Sequence, residues 1–196
     1  MNTHHRHSIR LRGYDYAQSG NYFVTLCTHQ RECLFGEIAD DVVRLNPLGQ
    51  AVQACWQALP RHFLTVELDA CVIMPNHVHM VIRIFGVPRP GNASPVNLGL
   101  SVSVGDALPL RPGATPGSLA AVVGNLKSVS SRQVNHLRGT PGAPVWQRNY
   151  YEHIIRNERE LNAVREYVEH NPMQWSLDRE NPAVQAVAPA RGVKGI

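Results

Sequence analysis

Seven segments in the order strand, helix, strand, strand, helix, strand, helix predict an α+β domain. It is an antiparallel sheet with helices packed on one face plus an extra C-terminal helix. Three observations predict it. Several runs are β-branched or aromatic and bounded by turn residues. Three others carry apolar residues at helical spacing, with start or stop signals. The chain has 196 residues, 43% of them hydrophobic and 17% charged. That length supports a buried core, and that balance excludes wholesale disorder.

The elements follow in order. Asn21 to Gln30 alternates aromatic and β-branched residues and reads as a strand. Leu34 to Ile38 suggests a short hairpin arm. Asn46-Pro47 starts a helix, with Leu48, Val52, Cys55, Trp56 and Leu59 at helical spacing and Pro60 as its expected end. Val66 to Met74 and His77 to Phe85 read as two strands joined by the turn Pro75-Asn76, and therefore as a hairpin. A second helix is expected from Ser118 to Leu137, with Leu119, Val122, Val123, Leu126, Val129 and Val134 on one side. Val145 to Ile155 is the expected last strand. Glu158 to His170 is a helix whose buried-side apolar stripe is Leu161, Val164, Val168 and Tyr167, and Asn171-Pro172 stops it. The first six elements spell βαββαβ, the ferredoxin-like order, which leaves the second sheet face open for a ligand.

The expected organisation is a basic N-terminal arm over 1–20, one domain over 21–177 and a C-terminal tail over 178–196. Residues 86–116 hold six Pro, five Gly and no aromatic residue. They are expected to form a flexible insert within that domain.

Composition narrows the function classes. No apolar run approaches a membrane span, and the start Met1-Asn2-Thr3-His4 has no apolar signal region. Cys27, Cys33, Cys55 and Cys71 form no CxxC pair, which argues against a zinc ribbon or a secreted disulfide scaffold. A cytoplasmic protein with reduced thiols is the expectation. The formal net charge is +4, and of the 19 Lys and Arg residues only Lys127 and Lys194 are lysine. Arg grips phosphate bidentately and stacks on bases, so this balance leans toward a nucleic-acid partner; an Arg-rich proteome gives the same composition.

Two motifs can carry chemistry. In a strand starting at His77, His77 and His79 project to one face and suit two ligands of one metal, while Val78 points into the core. Two solvent-facing histidines on a hairpin would show the same pattern. On the last helix, Tyr167 and Asn171 are one turn apart and share a face. A phenol and a carboxamide are thus presented together. Two His and one Asn carry no charge, so a divalent ion held by them stays electrophilic, with positions open for phosphate oxygens. The plainer alternative makes Tyr167 a core residue and Asn171 a helix end before Pro172.

Together these stretches resemble a known family. The matching segments are Arg10–Tyr16, Gly20–Thr25, Leu34–Ile38, Asp69–His79, Leu126–Ser128, Val145–Glu158 and Tyr167–Pro172. Met74-Pro75-Asn76-His77-Val78-His79 and Tyr167-Val168-Glu169-His170-Asn171-Pro172 are the most specific of them. Over residues 8–177 the chain resembles the REP-associated tyrosine transposases, a single-tyrosine HUH class; the 86–116 insert is longer than that pattern. The resemblance implies the ferredoxin-like fold, Tyr167 as nucleophile, and His77, His79 and Asn171 as ligands of Mg²⁺ or Mn²⁺. It implies cleavage and rejoining of single-stranded, hairpin-associated DNA through a 5′-phosphotyrosine, in the cytoplasm at the nucleoid. It implies no membrane partner and leaves a homodimer open. Lys127, Arg148, His153 and Arg12 are candidate DNA contacts. Tyr150 and Tyr151 are rival nucleophiles, but neither has a carboxamide one turn on. The alternatives are a hairpin-DNA binder without catalysis and a metal-dependent phosphoesterase that needs no tyrosine.

Overall fold

A computed structural model of the chain describes residues 16, 18–85, 115–178, 181, 182 and 184. The expected insert, except Thr115 and Pro116, lies outside the described residues. So do most of the N-terminal arm, Arg12 included, and most of the C-terminal tail.

β1 spans Gly20–Cys27, and β2 (Gly36–Ala39) pairs with β3 (Val42–Leu45) as a separate hairpin. α1 (Pro47–Gln57) and the single turn α2 (Leu59–His62) lead into β4 (Val66–Ile73) and β5 (His77–Ile84). α3 (Leu119–Leu137), β6 (Tyr151–Ile155) and α4 (Glu158–His170) follow, and a 3-10 turn over Pro172–Leu177 ends the described body. The main sheet runs β4-β5-β1-β6 with all neighbours antiparallel. β5 lies between the strands joined through α1, and β1 lies between those joined through α3. This is the ferredoxin-like order expected from the sequence.

The helices begin where side chains satisfy their free N–H groups. Asn46 Oδ1 accepts from the backbone N–H groups of Leu48 and Gly49 at 2.9 and 3.0 Å. Ser118 caps α3 through Ala121 N–H, and Asn157 caps α4 through Glu160 N–H. Gly49 is required for a different reason: a Cβ there would collide with the Phe35 carbonyl, so only glycine lets α1 sit this close to the hairpin arm.

α1 and α3 cover one sheet face. Val52, Trp56, Leu119, Val122 and Leu126 close over Tyr22, Val24, Val78, Met80 and Ile82. Burying such side chains contributes roughly 1.5–3 kcal/mol each. The extra helix α4 lies on the other face, where Leu161 and Val164 pack on Phe23, Val81 and Ile155. It sits over β4 and β5 and leaves the Tyr151 end of β6 open. The register of β4 shifts between Leu68 and Cys71, a bulge that splits Ala70 and Cys71 between the two cores. Beside it, Asp69 accepts two hydrogen bonds from the Arg165 guanidinium, at 2.8 and 2.6 Å, tying α4 to β4.

Three expected boundaries change. The first strand ends at Cys27 rather than Gln30, because the chain turns over His29–Arg31, where Gln30 and Arg31 take positive φ. Pro60 does not end the first helix; α1 stops at Gln57, and Pro60 occupies the first turn of α2, where its missing N–H costs nothing. The last strand is Tyr151–Ile155 rather than Val145–Ile155. Upstream, Trp146 makes only an isolated bridge to Thr28. The Lys127 ammonium donates to the carbonyls of Gln147 and Arg148, at 2.6 and 3.0 Å, and draws those acceptors out of a ladder.

Candidate active site

β5 begins immediately after the turn at Pro75-Asn76, so His77 and His79 share the sheet face that α4 overlies. They are not solvent-facing: His77 is 0% exposed and His79 5%. Their ring centroids are 4.5 Å apart. Val78 points into the opposite core, as expected.

Neighbouring side chains fix each ring. Asn76 Nδ2 donates to the Arg31 carbonyl at 3.1 Å, which turns Asn76 Oδ1 toward His77 Nδ1 at 2.9 Å. A carboxamide oxygen only accepts, so His77 Nδ1 carries the proton and Nε2 keeps its lone pair. That Nε2 is buried and accepts no hydrogen bond, and Asn171 Oδ1 is likewise a buried acceptor without a donor. Asp178 Oδ2 lies 3.8 Å from His77 Nε2. On His79, Nδ1 pairs with Thr25 Oγ1 at 2.9 Å, the residue directly across β1. With Nδ1–H donating there, Nε2 accepts from the Tyr167 hydroxyl at 3.3 Å.

Tyr167 corrects one expectation. Its ring is not on the buried stripe of α4 but 43% exposed, edge-on to Phe23 and 5.2 Å from the His79 ring. The i+4 spacing does place Asn171 with it. Asn171 is 2% exposed and sits close enough to influence the titration of both His77 and Tyr167.

Burial sets the charge states. It lowers His77 to about 4, against the opposing pull of Asp178, and lowers His79 well below the ordinary histidine value, with His77 adding to the effect. Both rings are neutral at pH 7, the form that binds metals. Burial raises the Tyr167 phenol and the Asp178 carboxylate raises it further, so the hydroxyl keeps its proton. Among the described residues no group of three or more His, Cys, Asp or Glu could hold a metal. A set of two imidazole nitrogens and one carboxamide oxygen falls outside that class. His77 Nε2 and Asn171 Oδ1, two buried acceptors lacking donors, are what a cation would satisfy.

The site opens into a cleft of about 670 Å³ whose lining includes Phe23, Arg31, His79, Tyr151, Tyr167 and Asp178. Both rival tyrosines, Tyr150 and Tyr151, line it too. It is Tyr167 whose hydroxyl reaches His79.

The other sequence candidates fall elsewhere. The Lys127 ammonium is engaged by two carbonyls. His153 Nε2 bonds Glu160 Oε1 at 2.7 Å, beside α4. Arg148 is exposed on the segment before β6. Sequence reasoning missed Thr25, Asn76, Arg31 and Asp178. Strand pairing across His79 points to Thr25; Asn76 lies inside Met74–His79, where one dimension shows it only as a turn residue. Nothing in one dimension places Arg31 or Asp178 beside His77.

Among the described residues no helix is long and apolar enough to cross a membrane. No protein-family model matches the chain. In fold it is similar to a REP-associated tyrosine transposase whose structure was solved bound to a REP hairpin. The TM-score is 0.53 and the identity 20%, covering 85% of this chain and 74% of that one. In sequence it is similar to a protein of Haemophilus influenzae (strain ATCC 51907 / DSM 11121 / KW20 / Rd) described as an uncharacterized protein. The identity is 38% over 176 residues, 90% of this chain and 93% of that protein. At that identity, over nearly the whole of both proteins, the chain belongs to the family of this Haemophilus influenzae protein.

Proposed function

We propose that the protein is a metal-dependent transposase that cleaves and rejoins single-stranded, hairpin-associated DNA through a 5′-phosphotyrosine at Tyr167. The observation that carries this is the Tyr167 hydroxyl at 3.3 Å from His79 Nε2, beside buried acceptors on His77 and Asn171 that lack donors. The fold shared with a hairpin-bound REP-associated transposase supports the substrate class.

In this reading His77, His79 and Asn171 hold Mg²⁺ or Mn²⁺. The ion supplies charge stabilisation on the phosphate oxygens as attack proceeds. Asn76 and Thr25 orient the two imidazoles through their Nδ1 atoms. Tyr167 Oη attacks phosphorus: the Oη–P bond forms, the P–O3′ bond breaks, and O3′ leaves with that bonding pair. The phenol proton passes to solvent, and O3′ takes a proton from solvent to become the free 3′-hydroxyl. At pH 7, deprotonating a phenol of pKa ~10 costs roughly 4 kcal/mol, and burial adds to that. A phenolate is also a fair leaving group, so a 3′-OH can reverse the step and rejoin DNA without a nucleotide cofactor.

The test is incubation with hairpin oligonucleotides carrying single-stranded flanks, with Mg²⁺ or Mn²⁺. The parent is expected to give a protein–DNA species that survives denaturant, and Tyr167→Phe none. Specific hairpin binding without any adduct would favour the non-catalytic binder. Cleavage that survives Tyr167→Phe would favour a phosphoesterase.

A further inference from the structure

Arg31 is a half-buried cation in the wall of the cleft, which it shares with His79, Tyr167 and Asn171. Its charge is felt at His77, Cys27 and Asp178. The backbone that carries it is unusual. Gln30 and Arg31 have φ of 54° and 59°, the left-handed region that L side chains avoid. Asp40 and Asp41 adopt similar values, 53° and 59°, but they join β2 to β3, where a two-residue hairpin turn demands positive φ. Gln30 and Arg31 join no such strand pair. Their turn is closed by Glu32 N–H on the His29 carbonyl, at 3.2 Å. Such a turn ordinarily selects Asn or Gly.

The strain is held from outside. Asn76 Nδ2 donates to the Arg31 carbonyl at 3.1 Å, and Thr28 Oγ1 donates to the Glu32 carbonyl at 2.8 Å. The same Asn76 side chain accepts from His77 Nδ1. One carboxamide therefore sets both the buried imidazole and the backbone of Arg31. Beyond the ion proposed for them, two neutral imidazoles and a carboxamide bring no charge of their own to an anionic substrate. A planar guanidinium in the same cleft does, with donors matched to phosphate oxygens.

We infer that Arg31 binds the phosphate attacked by Tyr167, and that the left-handed turn tied to Asn76 exists to hold its guanidinium there. The inference rests on the proposed DNA chemistry of the cleft and adds to it a residue that contacts the substrate. The competing account is a purely structural Arg31 paired with Asp178.

Arg31→Gly separates side chain from backbone, because glycine takes positive φ without penalty. Three readings are made on the parent, Arg31→Lys and Arg31→Gly. Arg31→Gly is expected to melt at or above the parent temperature and to bind Mn²⁺ with the parent affinity. Its adduct formation at saturating hairpin DNA is expected to slow about 100-fold, with Arg31→Lys between the two. A second arm needs no chemistry. In a Tyr167→Phe background, binding is measured to a hairpin oligonucleotide in which each flanking phosphate in turn is a neutral methylphosphonate. With Arg31 present, one position is expected to lose affinity. With Arg31→Gly that loss vanishes while the other positions keep theirs, the signature of a direct pair. Equal penalties at every position in both proteins would overturn the inference, as would parent-like adduct formation by Arg31→Gly. If the parent forms no adduct but the scan singles out one phosphate, the phosphate contact of Arg31 stands, while its place at an attacked phosphate falls with the transposase reading.

Discussion

The side chains of Asn76 and His77 are bonded to each other, although the residues are neighbours in sequence: His77 Nδ1–H donates to Asn76 Oδ1 at 2.9 Å. Adjacent residues in a regular strand point to opposite faces, so this contact exists because Asn76 lies in the turn before β5. It leaves His77 Nε2 as a bare acceptor in the interior.

Asn76→Ala is therefore expected to weaken Mn²⁺ binding about 10- to 100-fold, by freeing the ring and its tautomer. It also removes the donor to the Arg31 carbonyl and costs about 1–3 kcal/mol of stability. Asn76→Asp keeps an acceptor for His77 and is expected to retain more metal affinity than Asn76→Ala. Titration calorimetry with Mn²⁺ checks both. Equal affinity in parent and Asn76→Ala would remove the metal role of His77.

Acid is expected to destabilise the metal-free protein from about pH 6.5 downward. Both histidines take up protons at a lower pH when folded than when unfolded. Their contribution is full above the unfolded value near 6.5 and is lost as pH falls from there toward about 4. For His77 alone the loss is of order 2–4 kcal/mol. Denaturant midpoints at pH 7 and pH 5 measure it. Saturating Mn²⁺ is expected to raise the midpoint at pH 7 and to steepen its fall with acid, since protons and metal compete.

Breaking the tie between α4 and β4 is expected to cost little stability and much activity. Arg165 also bonds Asn162 on its own helix, and both it and Asp69 are partly exposed. Arg165→Ala is expected to cost no more than about 1 kcal/mol. Leu161→Ala, in the small core under α4, is expected to cost about 2–5 kcal/mol. Because α4 carries Tyr167, Arg165→Ala is expected to slow adduct formation without changing Mn²⁺ affinity. Hydrogen exchange in α4 should rise in step; an adduct rate equal to the parent's would show that this tie does not place the nucleophile.

Binding is expected to favour a hairpin with a single-stranded flank over the matching blunt duplex and to fall steeply with salt. The open end of the sheet face carries Tyr151, 49% exposed, in edge contact with Phe23. Aromatic rings exposed in this way suit unpaired bases. Equal affinity for both forms at physiological salt contradicts this.

The parts of the fold legible in the sequence were those set by local periodicity and punctuation. Glu158–His170 is legible to the residue because Leu161, Val164 and Val168 repeat at helical spacing and Asn171-Pro172 follows. Ser118 likewise marked the start of α3. The 145–150 segment has the composition of a strand, but two of its carbonyls, those of Gln147 and Arg148, are taken by Lys127, a tertiary contact that composition does not reveal. The site was half legible. Alternation put His77 and His79 on one face, and i+4 spacing joined Tyr167 to Asn171. The meeting of the two pairs depends on α4 crossing the sheet, which no local pattern encodes. Burial of the histidines and exposure of Tyr167 follow from that crossing.

The most direct measurement of the central claim is covalent trapping on a flanked hairpin oligonucleotide, with parent, Tyr167→Phe, Tyr150→Phe and Tyr151→Phe compared in Mn²⁺ and in EDTA. The account predicts a denaturant-resistant, protease-sensitive adduct with the parent in Mn²⁺, kept by Tyr150→Phe and Tyr151→Phe, and absent with Tyr167→Phe or in EDTA. An adduct formed by Tyr167→Phe but lost in Tyr150→Phe or Tyr151→Phe, or one formed at the full rate in EDTA, would contradict it.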